Sequence, residues 1–116
     1  MALPELETAR LRRLVGNFVE ARRPAPHIRP KLDIGYRIVG QSVEIFEIRP
    51  AFFGPVGAKH EGSVAKATFV RSRNCWRVFW QRSDLRWHGY DPAPEVATIE
   101  DFLRLVERDA YACFWG

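Results

Sequence analysis

The sequence predicts an α+β fold of order αββββα: a four-stranded antiparallel sheet with both helices on one face, in a single two-layer domain spanning residues 1–116. Three observations carry this. Apolar residues recur at helical spacing near each end, they alternate with a period of two through the middle, and turn-forming residues separate the alternating runs. A chain of 116 residues has the size of one domain and can bury a core without metal or disulfide staples. Hydrophobic residues at 47% and charged residues at 28% are near the globular average, far from disorder.

The first element is a helix from about residue 3 to 21, within an N-terminal segment 1–22. Leu11, Leu14, Val15, Phe18 and Val19 form one apolar stripe. Pro4 suits the first turn, and Glu5 and Glu7 near the start with Arg22 and Arg23 near the end complement the helix dipole. Gly16 weakens the middle by about 1 kcal/mol relative to alanine. Residues 23–31 hold three prolines, which remove donors and favour extended neighbours, so this segment is a stiff connector.

Residues 32–90 carry the sheet. In strand one Leu32, Ile34, Tyr36 and Ile38 alternate with Asp33, Gly35, Arg37 and Val39. Gly40-Gln41 makes a two-residue turn with glycine first, as a type II′ hairpin prefers. Strand two follows over Ser42–Arg49, which sets Ile38 against Val43, Tyr36 against Ile45 and Arg37 against Glu44. The double apolar step Ile45-Phe46 breaks the alternation. A bulge there puts Glu44 and Glu47 on one face; a regular strand puts them on opposite faces.

Residues 50–62 read as a long loop carrying Phe52 and Phe53. Strands three (63–71) and four (75–82) form a hairpin around Arg73-Asn74, which sets Ala67 opposite Trp80 and puts Trp76, Val78 and Trp80 on the core face. Lys66, Thr68, Val70, Arg77, Phe79 and Gln81 take the other face. Residues 85–90 form a short fifth strand or an ordered turn. Thr98 caps a C-terminal helix over 98–110, with Ile99, Phe102, Leu103, Val106 and Ala110 as its stripe. The apolar end 111–116 packs down or makes a dimer contact.

The net charge of +4 is uneven. Arg10–Lys31 holds seven basic residues against Glu20, and Arg71–His88 holds five arginines against Asp84. Residues 91–109 hold six acids against two arginines. Basic stretches attract polyanions, although scattered arginines also serve merely to keep a small protein in solution. No apolar run is long enough to span a membrane, and no signal peptide is recognisable, so no membrane partner is expected. Cys75 and Cys113 read as free thiols of a reducing compartment, hence a cytoplasmic protein.

The blocks Gly35-Tyr36-Arg37-Ile38, Gly40-Gln41-Ser42-Val43-Glu44, Phe46-Glu47-Ile48-Arg49-Pro50, Trp80-Gln81-Arg82-Ser83-Asp84-Leu85 and Tyr111-Ala112-Cys113-Phe114 together resemble DUF 3024, a bacterial domain family of unknown function. The resemblance runs over residues 27–116 and implies a bacterial cytoplasmic protein of this architecture. It implies no activity and no catalytic residues.

Two constellations carry chemistry. Arg71, Arg73, Arg77, Arg82, Arg86, Trp87 and His88, with Trp76 beside them, are a basic and aromatic cluster. Such residues hold phosphates and stack on bases; the bland alternative makes Trp76 core and the arginines a solvated rim. Glu44, Glu47, Lys66, Asp84 and His88 are the candidates for a hydrolytic site, since carboxylates on neighbouring strands with a lysine is a nuclease arrangement. The alternative is an ion-pair ladder across the sheet. His27, His60, His88, Cys75 and Cys113 lack zinc spacing, so neither metal nor cofactor is expected. The leading expectation is a non-enzymatic binding module with a nucleic acid or protein partner. A nuclease-like hydrolase is the alternative, and a homodimer through residues 50–62 or the C-terminus is the third.

Overall fold

The computed structural model describes residues 3–116. Met1 and Ala2, which the expected N-terminal segment includes, lie outside the described residues. The elements are α1 (Glu5–Arg22), β1 (Asp33–Val39), β2 (Ser42–Pro50), β3 (Lys59–Val70), β4 (Cys75–Gln81), β5 (Trp87–Gly89), β6 (Glu95–Val96) and α2 (Ile99–Arg108). All pairings are antiparallel. The sheet runs β1-β2-β3-β4-β5, and β6 also pairs with β4. The sheet therefore has five to six strands, not four. The additional strands are three and two residues long, too short to register as alternation. Between them the chain follows the free edge of β4: Tyr90 N donates to Val78 O and Val78 N donates to Pro94 O. That edge is thereby covered instead of offered for pairing.

The helix stripes and one sheet face build a single core. Leu11, Val15 and Val19 of α1 meet Val43, Ile45, Ala65, Ala67, Trp76 and Val78 of the sheet, and Ile99, Phe102, Leu103 and Val106 of α2 complete the cluster. Both helices thus lie on one face. Ala110 falls beyond α2 and is exposed, because Asp109 adopts the left-handed conformation and ends the helix. The Asp109 carboxylate accepts from the backbone N–H groups of Phe114 and Trp115, turning the chain back. Phe114 is then buried against Tyr90 at a ring separation of 4.8 Å, and Trp115 Nε1 donates to Val106 O. The apolar C-terminus packs onto its own chain.

Gly16 has a packing reason. A Cβ there would stand 3.3 Å from Tyr36 Oη, so glycine allows α1 to approach β1 closely. The connector is less extended than its prolines suggest: Ile28 N bonds Ala25 O, and Lys31 N and Leu32 N both bond Ile28 O, making successive turns.

Two registers differ in detail from expectation, the β3–β4 hairpin and the 50–62 segment. Val39 pairs with Ser42 across Gly40-Gln41, with Gly40 at φ +59°, as the turn chemistry predicts. The β3–β4 loop, however, is four residues, because Arg71–Arg73 forms a 3₁₀ turn closed by left-handed Asn74. Ala67 therefore opposes Val78, and Trp80 opposes Ala65. The shift is two residues, so every side chain keeps its face. Lys59–Gly62 continue the ladder against Glu47–Pro50, which shortens the expected 50–62 loop. The bulge sits across from Ile45/Phe46, but its extra residue is Val64 of β3. β2 stays regular against β1, so Glu44 and Glu47 lie on opposite faces.

Candidate functional site

The face of the sheet away from the helices takes its side chains from strand alternation. Gly35 and Arg37 come from β1, Ser42, Glu44 and Phe46 from β2, and Lys66 and Thr68 from β3. β4 adds Arg77, Phe79 and Gln81, and β5 adds Trp87. Among the described residues no helix packs on this face. Across neighbouring strands Arg37 is followed by Glu44, Lys66 and Phe79 in one row.

Three half-buried rings lie in this face, each under a cation. The Arg37 guanidinium is 4.3 Å from the Phe46 centroid. Lys66 Nζ is 4.9 Å from both Phe79 and Trp87, and the Arg77 guanidinium is 5.1 Å from Phe79. Gly35 makes room for Phe46, whose ring occupies the space a Cβ would need. Arg37 is ion-paired to Glu61, whereas Lys66 and Arg77 form no ion pair among the described residues. Ser42 and Thr68 hydroxyls share a hydrogen bond of 2.7 Å beside them.

The sequence-predicted basic cluster is divided. Arg77 and Trp87 reach the open face. Trp76 is buried in the core, 5.2 Å from Phe69. The Arg82 guanidinium lies 5.1 Å from Trp80, and His88 pairs opposite Trp80, both on the helix side of the sheet edge. Arg86 is in the β4–β5 turn, where its N–H donates to Asp84. Arg71 lines a cleft of about 590 Å³ with Leu3, Arg10, Phe69 and Thr98, between the helix starts and the β3–β4 loop.

Arg73 is held by Glu95 through Nε at 3.2 Å and Nη2 at 2.8 Å. Cys75 Sγ also donates to Glu95 at 2.8 Å. That bond pushes the Cys75 thiol upward and, with the Arg73 guanidinium, holds Glu95 below the usual carboxylate range. A thiol so held stays protonated, the opposite of an activated nucleophile.

The hydrolytic candidates fall in three places. Glu44 and Lys66 are cross-strand neighbours on the open face, and Glu47 lies on the helix side beside Arg49 at 3.5 Å. Asp84 and His88 form their own pair at 2.8 Å in and beside the β4–β5 turn. The Asp84 carboxyl is held low, first by the Arg86 N–H and then by His88. Among the described residues no group of three His, Cys, Asp or Glu side chains stands close enough to hold a metal ion.

Phe46 and Phe79 have no place in the sequence-predicted cluster. The alternation puts Phe79 on the outer face with Arg77, which is the signal available for it. Phe46 is masked by the apolar step Ile45-Phe46.

Fold and site together define a small α+β protein with one sheet face packed by helices and the other left open, set with aromatic rings and cations. The chain belongs to the DUF3024 family, a domain of unknown function, whose model matches residues 3–116. The match takes in α1, upstream of the blocks that carry the resemblance. Comparison with curated proteins and with solved structures gives no match.

Proposed function

We propose that this protein is a non-enzymatic binding module that takes single-stranded nucleic acid on the open face of its sheet. The observation that carries the reading is the placement of Phe46, Phe79 and Trp87 on that uncovered face with Arg37, Lys66 and Arg77 against them. Every base has a π-face, so half-buried rings on an uncovered sheet face accept bases without regard to sequence, and neighbouring cations hold the phosphates. Lys66 and Arg77 form no ion pair among the described residues, so they can exchange a ring for a phosphate at low cost. A hydrolase has less support, because its candidate residues occupy three separate places. In this reading the protein is bacterial and cytoplasmic, which its two free thiols suit.

The test is fluorescence anisotropy with labelled single- and double-stranded RNA and DNA at two salt concentrations, with Mg²⁺ present and the products run on a gel. Single strands bind, and three phosphate contacts weaken binding by roughly twenty-fold between about 50 and 200 mM salt. Phe79→Ala costs roughly ten-fold or more through lost stacking. Lys66→Gln and Arg77→Gln, at positions on the face away from the core, flatten the salt dependence. Absence of binding at low salt overturns the proposal, and Mg²⁺-dependent cleavage replaces it with the hydrolase.

A further inference from the structure

At the far end of the β2–β3 hairpin the chain presents its most exposed apolar side chains. Phe52 and Phe53 are 100% and 91% exposed, and Val56 is fully exposed. The hairpin reaches past its neighbours to carry them: β2 and β3 stay paired through Arg49–His60 and Pro50–Lys59, after β1 has ended at Asp33–Ile48. The loop closes on itself, with Ala51 N donating to Ala58 O at 2.9 Å and Ala58 N to Pro55 O at 3.0 Å. Pro50 and Pro55 carry no N–H at all. The tip therefore has fewer backbone donors needing water than most loops of its length.

Cations ring the base of this tip. Arg49 and Lys59 flank it in sequence, and Lys59 Nζ donates to Pro30 O, which brings the connector bearing Arg29 and Lys31 alongside. Arg29, Lys31 and Lys59 form no ion pair among the described residues. The nearby acids Asp33, Glu47 and Glu61 are each paired, to Arg23, Arg49 and Arg37.

We propose that this tip docks on the surface of an anionic lipid bilayer, with Phe52, Phe53 and Val56 entering the interface and Arg29, Lys31 and Lys59 facing the headgroups. A protruding apolar point within a cationic collar matches the two layers of a membrane surface. Phenylalanine is among the side chains that interfacial segments bury below the headgroups, and apolar burial with electrostatic attraction sets the strength. A protein partner fits less well. Two phenylalanines and a valine offer roughly 500 Å² of side chain, short of the roughly 800 Å² that each side of a stable interface buries. The absence of a spanning segment is no obstacle, since a shallow contact needs none. This inference does not depend on the open sheet face.

The test is flotation of the full chain with phosphatidylcholine vesicles, with and without phosphatidylglycerol, at low and near-physiological salt. Binding to the phosphatidylglycerol vesicles is expected, and Phe52→Ser with Phe53→Ser lowers it roughly ten-fold or more. Lys59→Gln lowers it roughly five-fold. Both phenylalanines are solvent-exposed, so these variants fold, and an unchanged circular dichroism spectrum checks that. Phe53→Trp supplies a second readout, a blue-shifted emission on vesicle addition. No flotation with either vesicle overturns the proposal, as does flotation that survives loss of both phenylalanines. Concentration-dependent dimerisation that needs Phe52 and Phe53, without vesicle binding, assigns the tip to a second copy of the chain instead.

Discussion

Replacing Gly35 by alanine tests the packing of the open face at its tightest point. A Cβ on Gly35 would stand 2.9 Å from Phe46 Cε2 and 3.0 Å from Cζ, with Ile48 Cδ1 at 3.6 Å. Ordinary contact begins about half an ångström further out, so the Phe46 ring must move, and Arg37, whose guanidinium is 4.3 Å from it, must move as well. Overpacking of this kind costs roughly 1–3 kcal/mol. Replacing glycine narrows the unfolded ensemble and returns roughly 0.4–1 kcal/mol. The expected net destabilisation is therefore about 1–2 kcal/mol, which lowers the urea midpoint by roughly 0.5–1 M. Tryptophan fluorescence in urea measures it. In a Phe46→Ala background the same glycine replacement becomes neutral or slightly stabilising, giving a coupling energy of about 1–3 kcal/mol. A neutral Gly35→Ala in the wild-type background, or strict additivity of the two changes, refutes the assignment of Gly35 as the seat of the Phe46 ring.

Two further perturbations address the frame. Asp33 is held below its ordinary value of 3.8, first by the Arg23 guanidinium at 2.9 and 2.8 Å and further by the Ile34 N–H, against the cost of burial. A lowered folded value means that the stabilisation is fully present above pH 3.8 and is lost as pH falls through the folded value. Asp33→Asn thus lowers the thermal midpoint at neutral pH and makes its decline below pH 3.8 shallower; an unchanged acid limb removes the pair from the acid response. Phe114→Ala, at a site 6% exposed, costs about 3–5 kcal/mol, whereas Tyr111→Ala, at a site 68% exposed, shifts stability by less than about 0.5 kcal/mol. Equal effects in thermal denaturation contradict the packing of the C-terminus on its own chain.

The helices and the first hairpin were legible because each has a repeating signal. The stripe through Leu11, Val15 and Val19 is buried as its spacing requires, and Thr98 accepts from Asp101 N as a cap should. What escaped has no repeat to read. The sequence Arg71-Ser72-Arg73 lacks glycine and proline, so nothing in it announces a four-residue loop, and only Asn74 carries left-handed propensity. Polar Lys59-His60-Glu61-Gly62 resembles loop, yet its backbone bonds extend the ladder whatever its side chains. The candidate sites depend on registers of this kind. Sequence proximity gathered Arg71, Arg73, Arg82 and His88 into one cluster, whereas the alternation of β4 and the β3–β4 loop send them to different surfaces. Phe46 and Phe79 joined Trp87 only once three strand pairings were known.

The bulge shows how one residue distributes charge between the two proposed surfaces. Ile45-Phe46 and Val64-Ala65 are both double apolar steps, and the β2–β3 pairing absorbs one extra residue between them. It falls on β3, where Val64 and Ala65 are both buried, while β2 stays in phase with β1. Were β3 regular, Phe46 would oppose Val64 and Arg49 would oppose Glu61. Glu61 would then lie on the helix side, and Arg37 would lose its acid. With Val64 inserted, Glu61 faces outward and neutralises Arg37 over Phe46, leaving Lys66 and Arg77 as the open face's cations without an ion pair among the described residues. The same insertion puts Lys59, not His60, on the outer side of the hairpin below Phe52 and Phe53. The charge of the sheet face and that of the tip are thus set by a single residue that makes no contact with either ligand proposed.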